Sequence, residues 1–302
     1  MFTSQGKPVE GNDPMQPWAV LAFDHRERAF AAVRATGMTH DEIRLSKQLI
    51  LEAYTLAVDR GLGQVQPGLL VDEEFGAPIA REAAARGHVV SMPVERASEA
   101  VFTFEYGSDY QQHLLEFRPT FAKALVHYRT TDTDQTKQTQ LTRLRELSDF
   151  LAEQSIAFML ELIVGQTSGT SGPDGAVPTV DVDELCRSMA EIQHAGVQVD
   201  LWKVEGVSSQ ENAARVAAQA MLTDPLATCV VLGAGAPSDI VGHWLDVAAA
   251  TPGFSGFAIG RSIWGEPVAA WLDGRLSRED AIEQIASTYR SCAMRYTGVR
   301  VG

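Results

Sequence analysis

Lysine interrupts two of the most apolar stretches of this chain. Lys203 stands in Val199-Asp-Leu-Trp-Lys-Val-Glu-Gly206, and Lys123 in Phe121-Ala-Lys-Ala-Leu-Val-His-Tyr128. A glutamate, Glu161, does the same in Phe158-Met-Leu-Glu-Leu-Ile-Val164. Lysine is rarely buried unless paired, and removal from water favours the neutral, nucleophilic amine. Two amines and a carboxylate inside separate apolar runs therefore point to Schiff-base chemistry on a carbonyl substrate.

Helical periodicity and short apolar runs alternate along all 302 residues. Strands are expected over 19–24, 69–73, 88–93, 123–128, 157–163, 199–204, 228–233 and 255–260. Amphipathic stretches lie between them, for instance 39–60, 136–154, 182–195 and 210–221. Thr39 and Glu42 have capping-box spacing, and Pro237 or Ser238 opens the helix after the seventh strand. Eight βα units without an Asn-Gly hairpin signal predict an α/β protein, a single (β/α)8 TIM barrel over residues 18–302 behind an N-terminal extension of residues 1–17. An open doubly wound sheet would want a GxGxxG turn after the first strand, where Phe23-Asp-His-Arg-Glu27 stands instead. The Ser-, Thr- and Gly-rich loop 166–179 would fall on the catalytic face of a barrel, as a lid or as a tolerated surface insertion.

Side chains alternate across a strand, so an inward Lys203 takes Val199 and Leu201 with it and sends Trp202 to the helix layer. Glu161 shares parity with Met159, and Lys123 with Leu125 and His127. Asp24 closes the first strand and Arg261 follows the eighth. Each has a plain reading alone: a snorkelling lysine, an Asp24–Arg26 ion pair, a Glu161 that merely neutralises a lysine. Asp24, Lys123, Glu161, Lys203 and Arg261 on five different strands favour one polar site at the barrel mouth. Gly233 and Gly235 after the seventh strand, with Gly260 and Arg261 after the eighth, offer backbone N–H groups and a guanidinium to a phosphate. His25 and His127 read equally well as acid/base groups or as core histidines.

A net charge of −14 argues against nucleic acid or an anionic membrane surface as partner. Three scattered cysteines, no HExxH or His-x-His spacing and no signal-like start predict a cytoplasmic protein without a metal. No run of about 18 apolar residues suggests a membrane span.

Six segments in order resemble one family: Leu21-Ala-Phe-Asp-His-Arg26, Leu70-Val-Asp-Glu-Glu-Phe-Gly76, Lys123-Ala-Leu-Val-His-Tyr128, Phe158-Met-Leu-Glu-Leu162, Leu201-Trp-Lys-Val-Glu205 and Phe257-Ala-Ile-Gly-Arg-Ser-Ile-Trp264. They are similar to the tagatose-bisphosphate aldolase group of class I aldolases. The Trp-Lys-Val-Glu-Gly segment and Trp271-Leu-Asp-Gly-Arg-Leu-Ser-Arg-Glu-Asp280 bring the chain closer to the aldolase-type domain fused behind a sugar kinase in bacterial inositol catabolism. The resemblance implies a cofactor-free aldolase that cleaves a ketose phosphate, 2-deoxy-5-keto-gluconate 6-phosphate, to dihydroxyacetone phosphate and malonate semialdehyde. It implies Lys203 as the Schiff-base lysine, Glu161 as acid/base, and Lys123 as the lysine that helps dehydrate the carbinolamine. Asp24 would match the aspartate closing the first strand, and Arg261, with Arg26 nearby, the phosphate-binding arginine. Lys123 beside Lys203 would favour the neutral form of the latter by like-charge repulsion.

His127-Tyr-Arg129 replaces that group's Tyr-Tyr-Asp on the fourth strand, and Asp72-Glu-Glu74 its Asp-Pro-Glu. Two other readings stay open. One is an aldolase for tagatose 1,6-bisphosphate or a sulfonated fructose phosphate; the other is a non-catalytic sugar-phosphate sensor. The expected partner is a small sugar phosphate, with a homo-oligomer left open.

Overall fold

A computed structural model describes residues 16–31, 33–34, 36–165 and 180–298. Eight parallel strands close in sequence order into a barrel: β1 (Trp18–Ala22), β2 (Gln66–Leu70), β3 (Val89–Pro93), β4 (Phe121–His127), β5 (Ala157–Ile163), β6 (Leu201–Val204), β7 (Thr228–Leu232) and β8 (Phe254–Ile259). The helices among the described residues are α1 (Glu27–Ala31), α2 (His40–Asp59), α3 (Glu73–Ala85), α4 (Tyr110–Phe117), α5 (Asp134–Gln154), α6 (Val182–His194), α7 (Gln210–Ala220), α8 (Ser238–Ala249), α9 (Arg261–Leu272) and α10 (Arg278–Tyr296). The chain is thus a (β/α)8 barrel, as the alternation of periods predicts. The expected N-terminal extension lies almost wholly outside the described residues, as does the loop 166–179. No helix of the described residues is long and apolar enough to cross a membrane.

Strand parity sorts the side chains into two layers. Trp18, Val20, Leu70, Phe121, Met159 and Leu201 pack together inside the barrel, with the Trp18 ring edge-on to Phe121 at 5.2 Å. Truncating the buried Phe121 to alanine would remove about 3–5 kcal/mol through the lost contacts and the cavity left behind. Trp202 points the other way, into the layer between sheet and helices. Lys123, Glu161 and Lys203 keep the inward parity and rise above this apolar floor to line a cleft at the strands' C-terminal ends.

Several boundaries differ from the sequence reading. β2 begins at Gln66 and ends at Leu70, earlier than expected. Pro67 and Gly68 masked its start, being poor strand formers, and Asp72 leaves the sheet because its carboxylate caps α3, accepting from the Phe75 N–H at 2.9 Å. β1 stops at Ala22, so Asp24 sits on the following loop rather than on the strand. Arg261 is the first residue of α9. Val199 precedes β6 and packs in the outer layer, not inside the barrel. The capping box before α2 is present in both halves, with Glu42 N–H to Thr39 Oγ1 at 3.2 Å and Thr39 N–H to Glu42 Oε2 at 2.8 Å. α8 starts at Ser238, directly after Pro237.

Candidate active site

The cleft at the barrel mouth encloses about 320 Å³ and is lined by Asp24, His25, Lys123, Glu161, Lys203 and Arg261, among others. At its centre Lys123 Nζ lies 2.9 Å from Asp24 Oδ2, 2.8 Å from Glu95 Oε1 and 2.8 Å from Glu161 Oε2. Lys203 comes from the neighbouring strand, in register with Glu161 across β5 and β6. Its Nζ lies 3.0 Å from Glu161 Oε1. Among the described residues Glu161 is the one carboxylate within ion-pair distance of Lys203, against three for Lys123.

Both lysines are almost fully buried, at 2% and 4% exposure. Burial pushes Lys123 toward the neutral amine, but Asp24, Glu161 and Glu95 together outweigh it and hold the ammonium well above the ordinary lysine range. Burial likewise pushes Asp24 and Glu161 up, yet the charge of Lys123, reinforced by Lys203, keeps both carboxyls below their usual values. Glu95 goes the other way: its desolvation exceeds the pull of Lys123 and Arg26, so its carboxyl titrates above the ordinary range. His25 is held neutral chiefly by burial, against the pull of Asp24 and helped by Arg261, and its imidazole is pushed down to about 3. The expected direct repulsion between the two amines is tempered, because Glu161 stands between them.

One end of the cleft is built from glycine turns. Ala234 and Gly235 take left-handed backbone at φ 50° and 72° after β7, and the Ser262 hydroxyl donates to the Gly233 carbonyl at 3.1 Å. A Cβ on Gly260 would stand 2.4 Å from the Ala22 carbonyl oxygen, so only glycine allows β1 and the start of α9 to approach this closely. That carbonyl also accepts from Trp264 Nε1 at 2.9 Å. Arg261 projects over the Gly235 turn, its guanidinium carbon 3.8 Å from where a Cβ there would be. No acidic side chain of the described residues pairs with Arg261, so its fork and the first turn of α9 face the cleft together.

Arg26 lines the same cleft, but Nη1 is already engaged, donating to the Glu95 carbonyl at 2.6 Å and to Glu105 Oε2 at 2.8 Å. It therefore pairs with Glu105 and not with Asp24, whose carboxylate belongs to Lys123. His127 lies exposed at the rim. His25 Nδ1 is buried without a hydrogen-bond partner, 3.8 Å from Asp24 Oδ1, with its ring edge-on to Trp264.

Sequence reasoning missed three polar groups around the site. Glu95 follows β3 by two residues, at the end of a strand where site residues gather, and that position was its signal. Glu205 shares the parity of Lys203, and its Oε2 accepts from the N–H groups of Val164 at 3.0 Å and Gly165 at 3.2 Å, tying the end of β5 to β6. Lys47 lies on the buried stripe of α2 with Ile43, Ile50 and Tyr54, a cation at an apolar position of the helical period.

A closed parallel barrel with charged side chains converging at the C-terminal mouth defines the general class of (β/α)8 barrels with a site at that face. The chain belongs to the family described as "Uncharacterized protein conserved in bacteria (DUF2090)", whose profile matches residues 10–298. Among curated proteins none matches the chain. Among solved structures it is similar to fructose-bisphosphate aldolase from Plasmodium falciparum, with a TM-score of 0.69, 14% identity, and coverage of 95% of this chain and 93% of that one. It is also similar to Cgl0159 from Corynebacterium glutamicum, with a TM-score of 0.60, 20% identity, and coverage of 94% and 88%. At these identities the likeness is one of fold.

Proposed function

We propose that this protein is a class I Schiff-base aldolase of the tagatose-bisphosphate aldolase group, of the kind that resembles the aldolase-type domain fused behind a sugar kinase in bacterial inositol catabolism, and that it cleaves a ketose phosphate. Its substrate is 2-deoxy-5-keto-gluconate 6-phosphate, which gives dihydroxyacetone phosphate and malonate semialdehyde. The observation that carries it is the unequal pairing of two buried lysines that share one carboxylate. Lys123, held among Asp24, Glu95 and Glu161, is a fixed ammonium. Lys203 meets Glu161 within the same cleft, which gives its amine a carboxylate in contact to take a proton as it attacks a carbonyl. The fold shared with a fructose-bisphosphate aldolase supports the reading by analogy.

The chemistry follows from the contacts. Lys203 Nζ, after passing one proton to Glu161 Oε1 at 3.0 Å, adds to the ketose carbonyl carbon, and a second amine proton moves to the former carbonyl oxygen to complete the carbinolamine hydroxyl. With Lys203 uncharged at that stage, one of the two pulls that hold Glu161 ionised disappears, and the carboxyl can carry the proton. It returns that proton to the carbinolamine hydroxyl, which leaves as water, and the Lys123 ammonium stabilises the charge shift. The iminium then draws electrons as Glu161 removes the proton of the substrate hydroxyl and the carbon–carbon bond breaks. The aldehyde departs, leaving an enamine on Lys203. Protonation of the enamine carbon and hydrolysis of the iminium release dihydroxyacetone phosphate. Arg261 and the glycine turns would hold the phosphate, and Asp24 would fix Lys123 or receive a substrate hydroxyl.

The test is intact mass after incubation with dihydroxyacetone phosphate and borohydride, wild type beside Lys203→Met. A stable adduct on wild type, missing from the variant, supports the Schiff base and its site. No adduct on folded wild type would reject the mechanism and favour a sugar-phosphate sensor. Cleavage of 2-deoxy-5-keto-gluconate 6-phosphate against tagatose 1,6-bisphosphate then decides the sugar.

A further inference from the structure

Asp24 lies on a loop two residues beyond the end of β1, yet its carboxylate must stay within 2.9 Å of Lys123. A loop carboxylate needs something to hold its backbone. The side chain in position to do so is Lys47, which comes from α2 with no exposure to solvent. Its Nζ donates to the Phe23 carbonyl at 2.6 Å and to the His25 carbonyl at 2.9 Å. The third contact is with Asp72 Oδ1, whose other oxygen caps α3. The ammonium also stands 5.1 Å from the Phe30 ring centre.

Three features set this pair apart from a packing ion pair. All three acceptors lack hydrogens, so they use all three N–H donors of the ammonium and fix its orientation. The two carbonyls belong to the residues immediately before and after Asp24, so the peptide units 23–24 and 25–26 are both held and the Asp24–His25 segment between them is bracketed. The anchor behind them is rigid: α2 is a twenty-residue helix, and Asp72 joins the end of β2 to the start of α3. A buried ammonium among desolvated partners is expensive to maintain for stability alone, since an apolar residue would pack as well.

We propose that Lys47 is a positioning residue, clamping the Phe23 and His25 carbonyls that bracket Asp24 and so holding the Asp24 carboxylate against Lys123. Its effect on turnover rests on the aldolase reading; its effect on the Asp24–Lys123 contact does not. Loss of the clamp lets the loop shift, and displacement of a site group by about 1 Å lowers turnover on the order of a hundredfold.

The experiment compares wild type, Lys47→Met, Asp24→Asn and the double variant. With 15N-labelled lysine, the Nζ–H signal of Lys123, identified by its loss in Lys123→Met, reports the Asp24 contact without any substrate. Lys47→Met is expected to shift that signal and speed its exchange as Asp24→Asn does, with the double variant matching Asp24→Asn. In the same set, kcat falls on the order of a hundredfold in Lys47→Met, while the borohydride adduct still forms on Lys203. The double variant should lose nothing beyond Asp24→Asn. A folded Lys47→Met with the wild-type Lys123 signal, or losses that multiply in the double variant, would overturn the inference. Should Lys47→Met fail to fold, Lys47→Gln, which keeps a donor at the site, carries the same comparison. If wild type forms no adduct, the aldolase reading fails, and the Lys123 signal still decides the role of Lys47.

Discussion

Glu161 spans Lys123 and Lys203 with its two oxygens, Oε2 2.8 Å from one amine and Oε1 3.0 Å from the other. One carboxylate in contact with both amines can move a proton at Lys203 while Lys123 keeps its charge. Replacing it leaves Lys123 still paired with Asp24 and Glu95, but takes from Lys203 its carboxylate partner among the described residues. Glu161→Gln is expected to lower kcat by about 10²–10⁴-fold, the usual contribution of a general acid–base group, and to lower the melting temperature, because the buried Lys203 loses its carboxylate. A coupled assay for dihydroxyacetone phosphate checks the first part and a thermal melt the second.

Acid should weaken the fold through His25. Its imidazole titrates near 6.5 when unfolded and is pushed down to about 3 in the folded protein. The unfolded chain therefore binds this proton first, and the stability due to neutral His25 is full above pH 6.5 and lost as pH falls toward 3. Asp24 and Glu161, whose values are lowered, act in the same sense below the ordinary carboxylate range, while Glu95, whose value is raised, opposes them. Melting temperature against pH should accordingly be flatter between pH 6.5 and 4 in His25→Asn than in wild type. Parallel curves would count against a neutral buried His25.

Arg261 should govern phosphate affinity rather than chemistry. A charge-assisted hydrogen bond contributes about 1.5–3 kcal/mol, so Arg261→Met is expected to raise KM for the ketose phosphate by about 10–100-fold. Inhibition by inorganic phosphate should weaken in step, and kcat should change little. A fall in kcat at unchanged KM would move Arg261 from binding to catalysis.

The sequence by itself determined the barrel and most of its polar mouth. A period of two in short apolar runs alternates with a helical period over the described chain, and that alternation admits few folds. Charges that break an apolar run at fixed parity, as at Lys123, Glu161 and Lys203, must face one side, so their convergence is legible in the sequence. Pairing was not. That Arg26 takes Glu105, that Lys123 gathers Glu95 as well as Asp24, and that Lys47 reaches the loop of Asp24 depend on groups 22 to 99 residues apart in sequence. Parity fixes the direction of a side chain within its own strand, but strand tilt, loop path and helix placement decide which charge meets which. The same limit explains β2 and Asp72: local propensity saw a strand run on, whereas the start of α3 needed a cap for its backbone N–H groups. Tertiary structure therefore decided the distribution of carboxylates between two otherwise similar lysines: among the described residues three meet Lys123 and one meets Lys203, because strand neighbours and loop path, not local parity, set which charges come together.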